Sequence, residues 1–187
     1  MEIISQSIPE VLLLAPNVHT DQRGFFLETS RNSFLNTIGI PKLVQQNQSR
    51  SQYGVLRGLH YQINNLQGKL VRCSRGSVFD VAVDIRRGSP TFGKYASAIL
   101  DDKLHHQLWI PEGFAHGFLV LSEVADFCYS CSNYYYPNDE YGILWNDESI
   151  GIKWPELNKN KKIQLSKKDL TNPSLESQKD ILLPSFN

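Results

Sequence analysis

Short alternations of apolar and polar residues, cut at close intervals by turn-forming residues, run through most of this chain. The clearest is Val78-Phe79-Asp80-Val81-Ala82-Val83-Asp84-Ile85. Phe79, Val81, Val83 and Ile85 share one parity there, Asp80 and Asp84 the other. A period of two marks a strand, because successive side chains point to opposite faces of a sheet. Turn signals punctuate the pattern at Asp21-Gln22-Arg23-Gly24, Gln52-Tyr53-Gly54, Arg75-Gly76-Ser77, Arg87-Gly88-Ser89-Pro90, Pro111-Glu112-Gly113 and Pro137-Asn138-Asp139. Many short strands at this spacing predict an all-β, antiparallel sandwich or barrel. Helix is predicted only over Ser30–Ile38 and just after Ser166. Beyond Thr171 the chain is polar and broken by proline. The expected organisation is therefore one domain over residues 1–170 and a C-terminal tail, 171–187, that drapes over the surface or frays.

Parity leaves two readings of the acidic pair. Asp80 and Asp84 either face the lumen of a small barrel or lie on a solvated outer face. A similar question attaches to the run from Gln45 to Gln62, which holds Arg57 and His60 three residues apart. In a regular strand that spacing puts them on opposite faces; Gly58 between them can supply the bend or bulge that brings both to one pocket. A neutral imidazole beside fixed cations suits proton transfer on an anionic substrate. The alternative is a pair of surface strands with ordinary polar residues.

Nineteen basic and nineteen acidic residues among 187 leave no global field to draw the chain to nucleic acid or an anionic membrane. Any affinity for an anion must come from a local cluster. The run Val11–Ala15 is too short for a signal-peptide core, and no later run is long enough to span a bilayer. A soluble, cytoplasmic protein is expected. Cys128 and Cys131 form a C-x-x-C inside a strand-like run, but an odd separation puts their sulfurs on opposite faces. With three cysteines in all, no second pair can complete a zinc site, so the thiols are expected to be reduced and structural.

The pattern Pro111-x-Gly113-x-x-His116 resembles the second block of the cupin superfamily. Metal-binding cupins carry two histidines and a carboxylate in their first block; the corresponding positions here are His60, Gln62 and Lys69. An ammonium in place of a carboxylate repels a divalent cation. No metal is therefore expected, and a fixed positive charge at that point can stabilise a developing oxyanion.

Taken together, several segments resemble the dTDP-4-dehydrorhamnose 3,5-epimerase family. They are Asp21-x-Arg23-Gly24-x-Phe26-x-Glu28, Gln45-x-Asn47-x-Ser49-x-Ser51, Val55–Gln62, Gln67–Arg72, Asp80–Arg86, Pro111–Phe118, Tyr129-x-Cys131, Gly142–Asp147 and Leu165–Asp169. They run in order along nearly the whole chain. The resemblance implies a homodimeric, cupin-type jelly roll that works without metal or coenzyme on a dTDP-4-keto-6-deoxy sugar. It assigns His60 as the base, Asp169 as its carboxylate partner, Tyr129 as the acid on the opposite face and Lys69 as the cation near the enolate oxygen. Arg57 and Lys168 match residues that hold the diphosphate. Gln45, Gln46, Asn47 and Tyr135 match those around the nucleoside, and His116 and Glu140 complete the set. Arg23 and Glu28 match positions contributed across the dimer interface. Two departures stand out: Gln46 sits where the family usually has an acidic residue, and Asn64-Asn65 where it often has proline. A 3-epimerase or 5-epimerase of a related sugar would keep nearly the same residues, although Tyr129 favours double inversion. Gln62 and Lys69 argue against a metal-dependent oxygenase, and the survival of His60 and Asp169 against a purely sugar-binding cupin.

Overall fold

The structure, a computed structural model, describes residues 1–158 and 160–186. In chain order its elements are β1 (Glu2–Ile4), β2 (Leu12–Ala15), β3 (Val18–Asp21), β4 (Gly24–Leu27), α1 (Asn32–Thr37), β5 (Gln45–Gln52) and β6 (Leu56–Gln62). There follow β7 (Lys69–Arg75), β8 (Ser77–Asp84), β9 (Tyr95–Asp101), β10 (Gln107–Ile110), β11 (Phe114–Val120), β12 (Val124–Cys131), β13 (Glu140–Gly142) and α2 (Lys167–Leu170). Both predicted helices are present, as short pieces. The strands form two antiparallel sheets, ordered β1-β2-β10-β7-β12-β5 and β13-β6-β11-β8-β9, with β3-β4 as a separate hairpin. This is the antiparallel β-sandwich that the alternating pattern predicted, in the cupin-type jelly-roll form that the resemblance implied.

The sheets face each other across an apolar core to which both contribute, including Val71, Leu108 and Phe127 from one and Val78, Leu100 and Phe118 from the other. The parity of β8 now has a definite sense. Val78 and Ala82 belong to the core between the sheets, and Asp80 and Asp84 share their face and are fully buried. Of the two readings, the lumen-facing one holds. Asp84 is satisfied by Arg86, Ser89 and Thr91.

The other parity, Phe79, Val81 and Val83, packs outward against a second layer made by Ile143, Ile150, Trp154, Leu175 and Leu183. The last two belong to the tail, which therefore drapes and is held. Tyr61 donates to the Leu182 carbonyl at 2.9 Å, and the Phe186 amide donates to the Arg87 carbonyl at 3.0 Å. A third cluster covers the outside of the six-stranded sheet, where Leu35 of α1 and Ile40 meet Leu14, Leu70 and Trp109. No helix among the described residues is long and apolar enough to cross a membrane.

One irregularity matters for the site. His60 pairs with His116 and Arg57 with Phe118, so β6 takes three steps where β11 takes two. The extra residue is a bulge, and it reverses the parity of Arg57 relative to His60. Gly58 sits at this point with φ +138°, and a Cβ there would lie 2.5 Å from the Gly117 Cα. Only glycine fits the backbone and the approach.

Candidate active site

Toward one end of the sandwich the interior turns from apolar to polar and opens as a cavity of ≈ 440 Å³. Its two walls come from different sheets. From the five-stranded sheet, β6 supplies Arg57, His60 and Gln62, and β11 supplies His116. From the six-stranded sheet, β5 supplies Gln45 and Asn47, β7 supplies Lys69 and β12 supplies Tyr129. Register sets the neighbours: His60 lies opposite His116, Lys69 opposite Cys131 and Tyr129 opposite Asn47. Tyr135 and Glu140 stand at the mouth, while Asp169 and Lys168 come in on α2.

The His60 Nε2 lies 2.7 Å from the Asp169 carboxylate, whose side chain is 5 % exposed. An ionised carboxylate can only accept, so Nε2 carries the hydrogen and Nδ1 is left as the basic nitrogen. Ser166 is the N-cap of α2 and accepts from the Asp169 amide at 3.1 Å, which fixes the helix turn that aims the carboxylate. Burial pushes the Asp169 carboxyl up. Hydrogen bonds from His60, Ser166 and the Gly58 backbone, together with attraction to His60, more than offset this and hold it below the usual carboxylate value.

His116 forms a second imidazole–carboxylate pair, with Nε2 3.0 Å from the fully buried Asp80. Burial pushes the His116 imidazole down despite Asp80. Its ring stacks on Phe127, centroids 5.8 Å apart, and Phe127 stacks in turn on Phe118 at 4.1 Å. Together they form the apolar floor of the cavity. Burial also lowers the Lys69 ammonium, against the attraction of Cys131, Glu140 and Asp80. Burial raises the Tyr129 phenol, which therefore stays protonated at neutral pH. Arg57 donates to Ser51 at 3.0 Å and has no carboxylate partner among the described residues. Lys168 is ion-paired with Glu140.

Eleven of the fourteen residues singled out in the sequence line this cavity; Arg23, Glu28 and Gln46 do not. Gln46 has the wrong parity. On β5 the odd positions Gln45, Asn47 and Ser49 face inward, while Gln46 faces a shallower hollow on the other side of the sheet with Arg72 and Gln107. Arg23 and Glu28 lie on and just after the β3-β4 hairpin, paired with Asp21 and Arg31. The hairpin exposes Phe25 and Phe26, at 58 % and 72 %. Ser49 and Ser166 were unassigned in the sequence. Parity from Gln45 finds the first, and the Ser-x-x-Asp capping pattern finds the second. Cys128 and Cys131 do point apart: Cys128 lies by Ser74 and faces the outer hollow, and Cys131 is buried near Asn47.

Comparison with known proteins points one way. The family model described as dTDP-4-dehydrorhamnose 3,5-epimerase matches residues 5–177. A dTDP-4-dehydrorhamnose 3,5-epimerase of Salmonella typhimurium is 52 % identical over 179 residues, covering 94 % of this chain and 96 % of that one. One of Neisseria gonorrhoeae is 57 % identical over 156 residues, covering 83 % of this chain; the chain spans about half that relative's length, 48 %. Among solved structures, a dTDP-6-deoxy-D-glucose-3,5-epimerase of Legionella pneumophila in complex with dTDP-4-keto-L-rhamnose superposes with a TM-score of 0.95. It is 47 % identical and covers 100 % of this chain and 98 % of that one.

Proposed function

The chain belongs to the dTDP-4-dehydrorhamnose 3,5-epimerase family, and on that premise we propose that it inverts C3 and C5 of dTDP-4-dehydro-6-deoxy-D-glucose, giving dTDP-4-dehydro-L-rhamnose for dTDP-L-rhamnose biosynthesis. The observation that carries the reading is a base and an acid on opposing walls of one cavity: His60 on the five-stranded sheet and Tyr129 on the six-stranded sheet.

The substrate's C4 ketone acidifies the hydrogens at C3 and C5, since loss of either gives an enolate. Inversion then asks for a base on one face of the sugar, an acid on the other and a cation at the oxygen that gains charge. His60 Nδ1 takes the proton, and Asp169 supports the imidazolium that results. The electron pair moves onto the C4 oxygen, beside the Lys69 ammonium. The Tyr129 hydroxyl returns a proton to carbon from the opposite side. Solvent reprotonates the phenolate and takes the proton from His60, which resets the site. The same sequence serves C3 and C5 in turn.

Arg57, without a carboxylate partner among the described residues, and Lys168 suit the diphosphate, where forked and compact cations pair with phosphate oxygens. Tyr135 offers a ring at the mouth for the base, Gln45 and Asn47 offer amides for the nucleoside, and His116 contributes to holding the sugar. Arg23, Glu28 and the exposed Phe25 and Phe26 support a homodimer in which this hairpin meets the second copy. Three free cysteines fit a reducing, cytoplasmic setting.

Borohydride trapping of the product tests the proposal. Inversion at C5 turns a D-sugar into an L-sugar, so reduced material with the L configuration is expected. Recovery of D-configured sugars alone would refute double inversion, and inversion at C3 only would make the enzyme a 3-epimerase.

A further inference from the structure

Residues 133–136 leave the β12 ladder and cross the mouth of the cavity, so their backbone groups need partners from elsewhere. Glutamine side chains provide them. Gln67 donates to the Asn133 carbonyl at 2.8 Å, and Gln45 accepts from the Tyr135 amide at 2.9 Å. Gln62 does the most. Its Oε1 accepts from the Tyr136 amide at 2.8 Å, and its Nε2 donates to the Tyr134 carbonyl at 3.2 Å and the Asn65 carbonyl at 2.6 Å. Its polar atoms thus bind the backbone on both sides of Tyr135, and the residue is 4 % exposed.

We propose that Gln62 is a positioning residue that fixes Tyr135 at the cavity mouth and thereby sets affinity for the nucleotide end of the substrate. This rests on the function proposed above. Only a carboxamide offers two donors and an acceptor in one planar group. A glutamate at 62 would turn a carboxylate oxygen toward the two carbonyls, and a histidine could not serve both carbonyls and the Tyr136 amide. The backbone on either side of Tyr135 would then lose its anchor, while His60, two residues earlier on β6, keeps its own partner Asp169. The loss should fall on binding and largely spare chemistry.

The test uses dTDP alone as the probe, by calorimetry, with steady-state kinetics alongside. Gln62→Met keeps the length and removes all three bonds. It should raise the dTDP Kd and the KM about tenfold, with kcat within about threefold of wild type. In a Tyr135→Ala background the same change should add less than about twofold, because the ring it positions is gone. Gln67→Met, which releases the Asn133 carbonyl, should repeat the pattern and serves if Gln62→Met fails to fold. Unchanged dTDP affinity, a fall in kcat at constant KM, or penalties that multiply in the double variant would overturn the assignment. Wild-type protein that does not bind dTDP would instead overturn the function on which it rests.

Discussion

Asp169→Asn is the substitution whose effect the structure specifies most closely. The His60 Nε2–H meets the carboxylate at 2.7 Å, and Ser166 and the Gly58 backbone also favour its ionised form. An asparagine has one acceptor oxygen and must turn its NH2 toward one side. If the NH2 faces the Gly58 amide, donor meets donor and the side chain turns away from its place behind His60. If it faces His60, Nε2 becomes the acceptor and the hydrogen moves to Nδ1, the nitrogen that must be bare to take a proton from carbon. Either outcome removes an oriented base, so the exchange rate should fall about 10²–10⁴-fold, roughly 3–5 kcal/mol of barrier. The assay is single-turnover deuterium wash-in from heavy water, read at C3 and C5. Affinity for dTDP should be little changed, because the carboxylate lies away from the mouth.

The pair should also show in stability. The folded Asp169 carboxyl titrates below its unfolded value of 3.8, so its contribution is present above that pH and lost as pH falls through the lower folded value. The stability gap between wild type and Asp169→Asn should hold steady above about pH 5 and close in stronger acid. Exchange within about fivefold of wild type, with the gap independent of pH, would refute the role given to the dyad.

Tyr129→Phe should keep wash-in through His60 while slowing inversion, because the proton from the opposite face is missing; parallel loss of exchange and inversion would contradict the division of labour. Mixing an Arg23→Ala chain with a His60→Ala chain should restore some activity if the hairpin completes the second copy's site. A mixture that has demonstrably exchanged subunits and stays inactive would dismiss that arrangement.

The sheets were legible because short apolar runs, partly alternating as in β8, are separated by turn residues. The hold on the tail was not: Leu175 stands alone among polar residues and Leu183 ends the run Ile181–Leu183, and neither one side chain nor three in a row carries a period. The Asn64-Asn65 turn was likewise opaque, since the carboxylate that takes both its amides belongs to Asp139, more than seventy residues on. Gly58 allowed Arg57 and His60 a common pocket without requiring one, and the bulge in β6 decides it. The partnership of His60 with Asp169, 109 positions away, could not; only resemblance suggested it. Gln46 shows the opposite weakness, since resemblance grouped it with Gln45 and Asn47 while strand parity turns it to the other face.

The central claim is that one cavity serves both carbons flanking the ketone. Nuclear magnetic resonance of dTDP-4-keto-6-deoxyglucose incubated with the enzyme in heavy water tests it directly. Deuterium should enter at C3 and at C5, and both signals should depend on His60. Exchange at C3 alone would make the protein a 3-epimerase, and exchange at neither carbon would contradict the account.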